Sequence, residues 1–139
     1  MLRNKTFFPC ILIVAFFVFG LSSGNCGQFL EKHRTDRGVE FISGGVGISE
    51  RNVMEGLEKD YNLKLIFAKI NGKYLSCIKV LIQDPSGDIL LETTTEGPWL
   101  LAKLPVGAFK ITAICEGRSK SRAVMIGLDA VKMFFHWKV

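Results

Sequence analysis

Hydrophobic and polar residues alternate along most of the chain after residue 62, with the two-residue period of half-buried β-strands. The clearest case is the last segment, where Val131, Met133, Phe135 and Trp137 occupy every second position. This pattern predicts a mainly β chain with seven mostly antiparallel strands in residues 62–139, spaced as in a β-sandwich or barrel. The predicted strands are 63–68, 74–83, 89–95, 98–104, 108–115, 121–128 and 131–137.

Turn residues separate these segments. Asn71-Gly72 predicts a tight type I′ hairpin, which needs two residues with positive φ. In Asp84-Pro85-Ser86-Gly87, proline presets φ and glycine accepts the left-handed position. Pro105-Val106-Gly107 and Glu116-Gly117 predict two further reversals.

One segment, residues 50–61, has the period of an amphipathic helix. Ser49 is the predicted N-cap, and Glu50 lies in the first turn, where the helix dipole favours a negative charge. The predicted apolar face consists of Val53, Met54, Leu57 and Tyr61, and we expect it to pack against the sheet.

Residues 39–42 before the helix predict a short edge strand, and residues 43–47 a glycine-rich turn. This turn lacks the glycine spacing of a dinucleotide loop and the Lys-Ser/Thr of a P-loop, so we do not expect nucleotide binding.

Three large apolar residues follow one another at Trp99, Leu100 and Leu101. Because successive strand residues face opposite sides, either both faces of this strand are covered or a large side chain is exposed. We expect the helix to be the cover. The alternative is that Trp99 belongs to an interaction surface.

The N-terminal residues predict export. Arg3 and Lys5 precede an apolar run that ends in small residues, so residues 1–24 read as a signal peptide and residues 25–40 as a flexible linker. Cleavage would lower the formal charge from +5 to about +3. We expect a periplasmic or envelope-associated protein, with an uncleaved anchor or a lipidated Cys26 as alternative membrane attachments.

Export would permit a disulfide between Cys77 and Cys115. The alternative, which we favour, is that both are small buried or half-buried apolar residues. No cysteine pair has the spacing of a zinc site, and no cofactor is expected.

The C-terminal third is basic: from Lys103 onward it has seven basic residues and two acidic ones. Arg118, Lys120 and Arg122, here called the basic triad, alternate with serines after a predicted turn. The triad is a candidate surface for anionic lipid, envelope polysaccharide or an acidic partner protein. Solvated outward strand faces are the alternative explanation. Nucleic acid is not expected, because an exported protein seldom meets it.

Side chains suited to catalysis are scattered. His136 has the opposite parity to Phe135 and Trp137, which predicts a surface position. Asp84 and Asp88 flank a turn, where such residues usually make local hydrogen bonds. No serine lies in a nucleophile elbow.

Residues 80–113 carry a family resemblance. With Asp84, Gly87, Thr95, Gly97, Leu104-Pro105, Gly107 and Phe109, this stretch resembles the carboxypeptidase regulatory-like domain, a transthyretin-like (prealbumin-like) β-sandwich. The similarity extends over about residues 62–137, and residues 44–65 resemble the start of small exported proteobacterial proteins that carry this domain alone. The domain so predicted spans residues 62–139, after a strand, turn and helix in residues 41–61.

The resemblance implies a module without catalysis, because the active site of metallocarboxypeptidases lies on a separate domain. A purine-pathway hydrolase shares the transthyretin-like fold, but its clustered histidines and C-terminal Arg-Gly-Ser motif have no counterpart here.

The sequence therefore predicts a non-enzymatic exported module that binds or stabilises another envelope component, either a protein or an anionic molecule. The alternative is a small periplasmic hydrolase or ligand-carrying protein with a pocket between helix and sheet. The candidate interaction residues are Arg118, Lys120, Arg122 and Trp99.

Overall fold

The computed structural model describes residues 30–139. Its elements in chain order are β1 (His33–Arg34), β2 (Glu40–Gly44), α1 (Ile48–Leu57), a 3₁₀ turn (Glu58–Asp60), β3 (Leu63–Lys69), β4 (Lys79–Gln83), β5 (Ile89–Thr94), β6 (Trp99–Lys103), β7 (Gly107–Cys115), β8 (Arg118–Ile126) and β9 (Val131–Trp137). The predicted signal peptide and Cys26 lie outside the described residues. Within residues 30–139, no helix has the length and apolarity needed to cross a membrane.

The chain is mainly β, as predicted, with its strands in two sheets. Sheet A has the order β1-β2-β6-β3-β9, and sheet B has the order β5-β4-β7-β8. Neighbouring strands are antiparallel except β3 and β9, which run parallel. The described residues thus form nine strands rather than seven, because β1 and β2 extend sheet A.

The main core lies between the two sheets. It combines Leu65 and Phe67 from β3 with Val80 and Ile111 from sheet B. The predicted alternation of β9 is confirmed, since Phe135 and Trp137 are buried whereas Lys132, Phe134 and His136 are exposed.

A second core lies on the other face of sheet A, under α1. Met54 of the helix packs there with Ile42, Ile66, Trp99 and Leu101. Because one face of β6 meets this core and the other meets sheet B, consecutive apolar residues are buried along the strand. The prediction that the helix covers this strand is confirmed.

The start of the helix differs from the prediction. The N-cap is Gly47, at φ 81°, and no side chain caps the helix, so the predicted cap at Ser49 is wrong. Instead, the Glu50 carboxylate accepts a hydrogen bond from the Gly45 amide at 2.8 Å. Val53 is 55% exposed, because α1 is short and Val53 lies about 100° around the helix from the buried Met54.

The chain after β3 also differs from the prediction. Gly72 has positive φ but Asn71 does not, so the hairpin is not type I′. The Lys69 amide bonds to the Lys73 carbonyl at 2.7 Å, which closes a three-residue loop. Only a bridge between Ala68 and Tyr74 follows, and β4 then pairs in sheet B rather than beside β3.

Cys77 marks this crossover between the sheets. Its φ of 58° interrupts the extended backbone, and its amide bonds to the Thr95 carbonyl at 3.0 Å. Cys77 is exposed, which contradicts the predicted burial, whereas Cys115 is buried. Both cysteines are free, so the alternative disulfide is not formed.

The segment predicted as a linker contains ordered pairing in its second half. His33 and Arg34 of β1 pair with Phe41 and Glu40 of β2. Consequently β2 lies between β1 and β6, and the prediction that it is an edge strand is wrong.

Candidate functional site

The basic triad begins directly after a two-residue turn. Glu116 and Gly117 have φ values of 49° and 75°, the positive pair that a type I′ turn requires. The turn fixes the register of β7 and β8, so that Arg118 lies opposite Cys115 and Arg122 opposite Ile111.

This register sets the face on which the triad lies. Cys115, Ala113 and Ile111, the partners of the triad, are buried in the core between the sheets. Val124 and Ile126 continue the same face of β8 and also pack there. The alternative explanation is confirmed in part: the triad is exposed and lies on an edge strand, but on the face of β8 that continues into the core rather than on the outward face.

Two of the triad cations lie over aromatic rings of β9. The Lys120 Nζ lies 5.9 Å from the centre of the Trp137 ring, and the Arg122 Cζ lies 5.2 Å from that of Phe135. Both distances allow cation–π attraction. The rings hold the two cations at the edge, where they stay exposed because β8 and β9 are the last strands of their sheets.

Arg118 connects the two edge strands. Its backbone carbonyl accepts a hydrogen bond from the Trp137 Nε1 at 3.1 Å, and its guanidinium donates to the Lys138 carbonyl. These contacts fix the first cation of the triad over the end of β9.

The ion pairs of the described residues distinguish this edge from the opposite one. In the described part of the chain, no carboxylate forms an ion pair with Arg118, Lys120 or Arg122. The opposite edge, formed by β1 and β5, differs because its cations are paired. There a groove of about 550 Å³ between β1 and β5 is lined by Arg34 and Arg37, which pair with Glu40 and Asp88.

Sequence reasoning missed Lys69, which lies near Trp137 and Cys115. It ends β3 on the parity of Leu65 and Phe67 and is the register partner of Trp137. Its position two residues after Phe67 could have indicated an inward-facing side chain from the sequence alone. Burial and the Glu116 carboxylate raise the pKa of the Cys115 thiol, while Arg118 and Lys69 act in the opposite direction.

Trp99 is not part of this surface. It is only 5% exposed and lies under α1, so its assignment to an interaction surface is wrong. The Lys64 ammonium lies over its ring, with Nζ 3.6 Å from the ring centre. The Trp99 indole nitrogen has no hydrogen-bond partner among the described residues.

Lys64 belongs to a cavity of about 140 Å³ between the 3₁₀ turn and sheet A. Its Nζ forms an ion pair with Glu58, which also lines the cavity. Burial is the main cause that raises the pKa of Tyr61, another lining residue, and the carboxylates of Glu40 and Asp60 add to it. A small pocket with several polar groups therefore lies between the 3₁₀ turn and sheet A, and none of its lining residues belongs to α1.

The other candidate groups serve local structure. His136 is exposed and stacks on Phe134, with ring centres 6.1 Å apart, as its parity predicts. The Asp84 carboxylate accepts hydrogen bonds from Ser86 Oγ at 2.5 Å and from the Asp88 amide at 3.0 Å. Among residues 30–139, no group of three or more His, Cys, Asp or Glu side chains is arranged to hold a metal ion.

No protein-family model matches this chain, and no curated protein gives a significant match to it. The resemblance to the carboxypeptidase regulatory-like domain stays a prediction.

Proposed function

We propose that the protein is a non-enzymatic exported module of the cell envelope that binds an anionic envelope component through the basic triad. The proposal combines the signal-peptide pattern of residues 1–24 with the geometry of β8. It includes a sandwich of the transthyretin-like type. This part of the proposal is supported by two sheets that share one core.

The observation that carries the proposal is a row of exposed cations without carboxylate partners in the described chain. Alternate residues of a strand are about 7 Å apart, so the triad presents three charges along about 13 Å. Aromatic contacts and the Arg118 hydrogen bonds hold this row in place, which lowers the entropy cost of binding. Such a row suits a partner with repeated anionic groups.

The two Asp residues of the β4–β5 turn and the two described histidines support a non-enzymatic role, because each is explained by local contacts. Asp84 and Asp88 hold the turn, and His33 and His136 stack on neighbouring aromatic rings.

The test compares two variants of equal net charge. The triad variant carries Arg118→Gln, Lys120→Gln and Arg122→Gln. The control carries Lys59→Gln, Lys73→Gln and Lys110→Gln, which removes three exposed lysines that form no ion pair within residues 30–139. Binding is measured at several salt concentrations, because screening weakens exposed charge contacts.

The probes distinguish the sources of anionic charge. One arm uses vesicles containing phosphatidylglycerol, and the other a soluble anionic polysaccharide. Each surface cation contributes about 1 kcal/mol near an anionic membrane, so we expect the triad variant to bind roughly a hundred-fold more weakly and the control to keep most of its affinity. Equal losses in both variants would reduce the effect to net charge and refute the proposal.

A second candidate function, a ligand-carrying protein, is favoured by the cavity that holds Lys64 and Glu58.

A further inference from the structure

The cavity beneath the 3₁₀ turn is small and partly enclosed. Its volume of about 140 Å³ is well below the roughly 300 Å³ at which drug-sized sites begin. Leu101 and Val131 supply apolar wall, and Lys64, Glu58 and Lys132 supply charge. A more open depression of about 410 Å³ adjoins it and shares Glu58, Tyr61 and Ala130.

Lys64 is an unusual residue for this position, because its side chain is 9% exposed and lysine is rarely buried without a partner. The Glu58 carboxylate compensates its charge, and the Trp99 ring covers the ammonium from one side. These two contacts hold the ammonium beside the cavity. A lysine ammonium has three N–H donors, so one remains for a ligand after the ion pair and the ring contact.

Lys132 is the second lysine that lines the cavity. In the parallel pairing of β3 and β9, Lys64 and Lys132 are register partners on the same face of sheet A. Like charges directly opposite each other on a sheet are destabilising. Glu58 pairs with Lys64, whereas Lys132 forms no ion pair within residues 30–139, so the charged groups lining the cavity leave one positive charge in excess.

We propose that this cavity binds a small aliphatic monocarboxylate. The carboxylate would lie between Lys64 and Lys132, where it removes the excess charge and the repulsion between the two ammonium groups. The alkyl part would pack against Leu101 and Val131. The volume limits the ligand to a short chain, and butyrate, with six non-hydrogen atoms, is a suitable probe.

The inference names the ligand class for the carrier function and does not rest on the basic triad. Lys64 and Lys132 lie on the helix-covered face of sheet A, whereas the triad lies on sheet B. The triad variant should therefore bind butyrate as the unchanged protein does, and the cavity variants should keep the anion binding of the triad.

The experiment is a titration of the full chain with sodium butyrate, followed by ¹H–¹⁵N NMR. We expect saturable shifts of the Tyr61, Lys64 and Lys132 amides with a dissociation constant of about 1 mM, a value within reach of a ligand of this size. Butyramide, which has the same shape without the charge, should bind at least about ten-fold more weakly.

Lys132→Gln tests the site without disturbing the buried ion pair, because Lys132 is exposed. We expect it to weaken butyrate binding about ten-fold. The matched control is Lys73→Gln, which removes an equal charge from the exposed loop after β3 and should leave binding unchanged. Lys64→Met should abolish binding, provided that its spectrum shows the native fold.

Three results would overturn the inference: butyrate shifts that do not saturate, butyramide binding as tightly as butyrate, or equal affinities of Lys132→Gln and Lys73→Gln. The Lys132 comparison decides the matter even where Lys64→Met fails to fold.

Discussion

The indole N–H of Trp137 donates a hydrogen bond to the backbone carbonyl of Arg118 across 3.1 Å, and this bond joins the last strand of sheet A to the last strand of sheet B. The ring of the same tryptophan lies under Lys120. One side chain therefore closes the edge of the core and supports the basic triad.

Trp137→Phe should destabilise the fold by about 1–3 kcal/mol, because it removes the hydrogen bond to Arg118 and part of a fully buried side chain. Denaturant unfolding followed by circular dichroism measures the change. Phe134→Leu on the exposed face of the same strand is the control and should stay within about 0.5 kcal/mol. A Trp137→Phe variant as stable as its parent would contradict the role of the bond.

Gly97 and Gly56 should respond to alanine in opposite directions. A Cβ at Gly97 would lie 2.8 Å from the Gly44 Cα and closer still to its carbonyl, both backbone atoms that cannot move aside alone. We expect Gly97→Ala to cost about 1–3 kcal/mol or more. Gly56 lies in α1 with nothing within 4 Å, so Gly56→Ala should stabilise by about 0.5–1 kcal/mol.

The two melting temperatures, measured side by side, check this pair of predictions. Because the substitution is identical, a Gly97→Ala variant as stable as its parent would contradict the close approach of residue 97 to β2, and a destabilised Gly56→Ala variant would contradict the free space at residue 56.

The cysteines should differ in reactivity. Cys77 is exposed, whereas burial raises the pKa of the Cys115 thiol and removes it from solvent. We expect iodoacetamide to modify Cys77 at least about a hundred-fold faster than Cys115 in the native protein, and the two to react alike in denaturant. Peptide mapping by mass spectrometry separates these sites from the N-terminal cysteines, and Cys77→Ser is the control.

Rapid native modification of Cys115 would show that the edge between β8 and β9 opens, against the closed corner formed by Arg118 and Trp137.

The local parts of this fold could be predicted from sequence, since a strand such as β9 shows its buried face by alternation. The strand predicted at 74–83 could not be divided correctly, because the crossover depends on a left-handed Cys77 held by Thr95, a contact between distant residues. The triad residues were found from their charge, but their inward face follows from the turn register at Glu116-Gly117. The pairing of Lys64 with Lys132 was not predictable, because it needs the parallel contact of β3 with β9.

Asp84 provides a test of the turn between β4 and β5. The Ser86 hydroxyl is the main cause that lowers the pKa of this carboxyl, and the amides of Asp88 and Ser86 add to the effect. Ser86→Ala should therefore raise the Asp84 pKa toward its ordinary value, measured by NMR titration of the side-chain carboxyl carbon. Ser119→Ala, at an exposed position of β8, is the control and should leave it unchanged.

The lowered pKa also gives a stability change with a definite sign. An unfolded Asp titrates near pH 3.9, so the native carboxylate stabilises the fold above that pH. The contribution is lost as the pH falls through the lower pKa of the folded state. Between about pH 4 and pH 2, the unfolding free energy of the parent should fall more steeply than that of Asp84→Asn. Parallel pH profiles of the two proteins would contradict the hydrogen bonds that hold this turn.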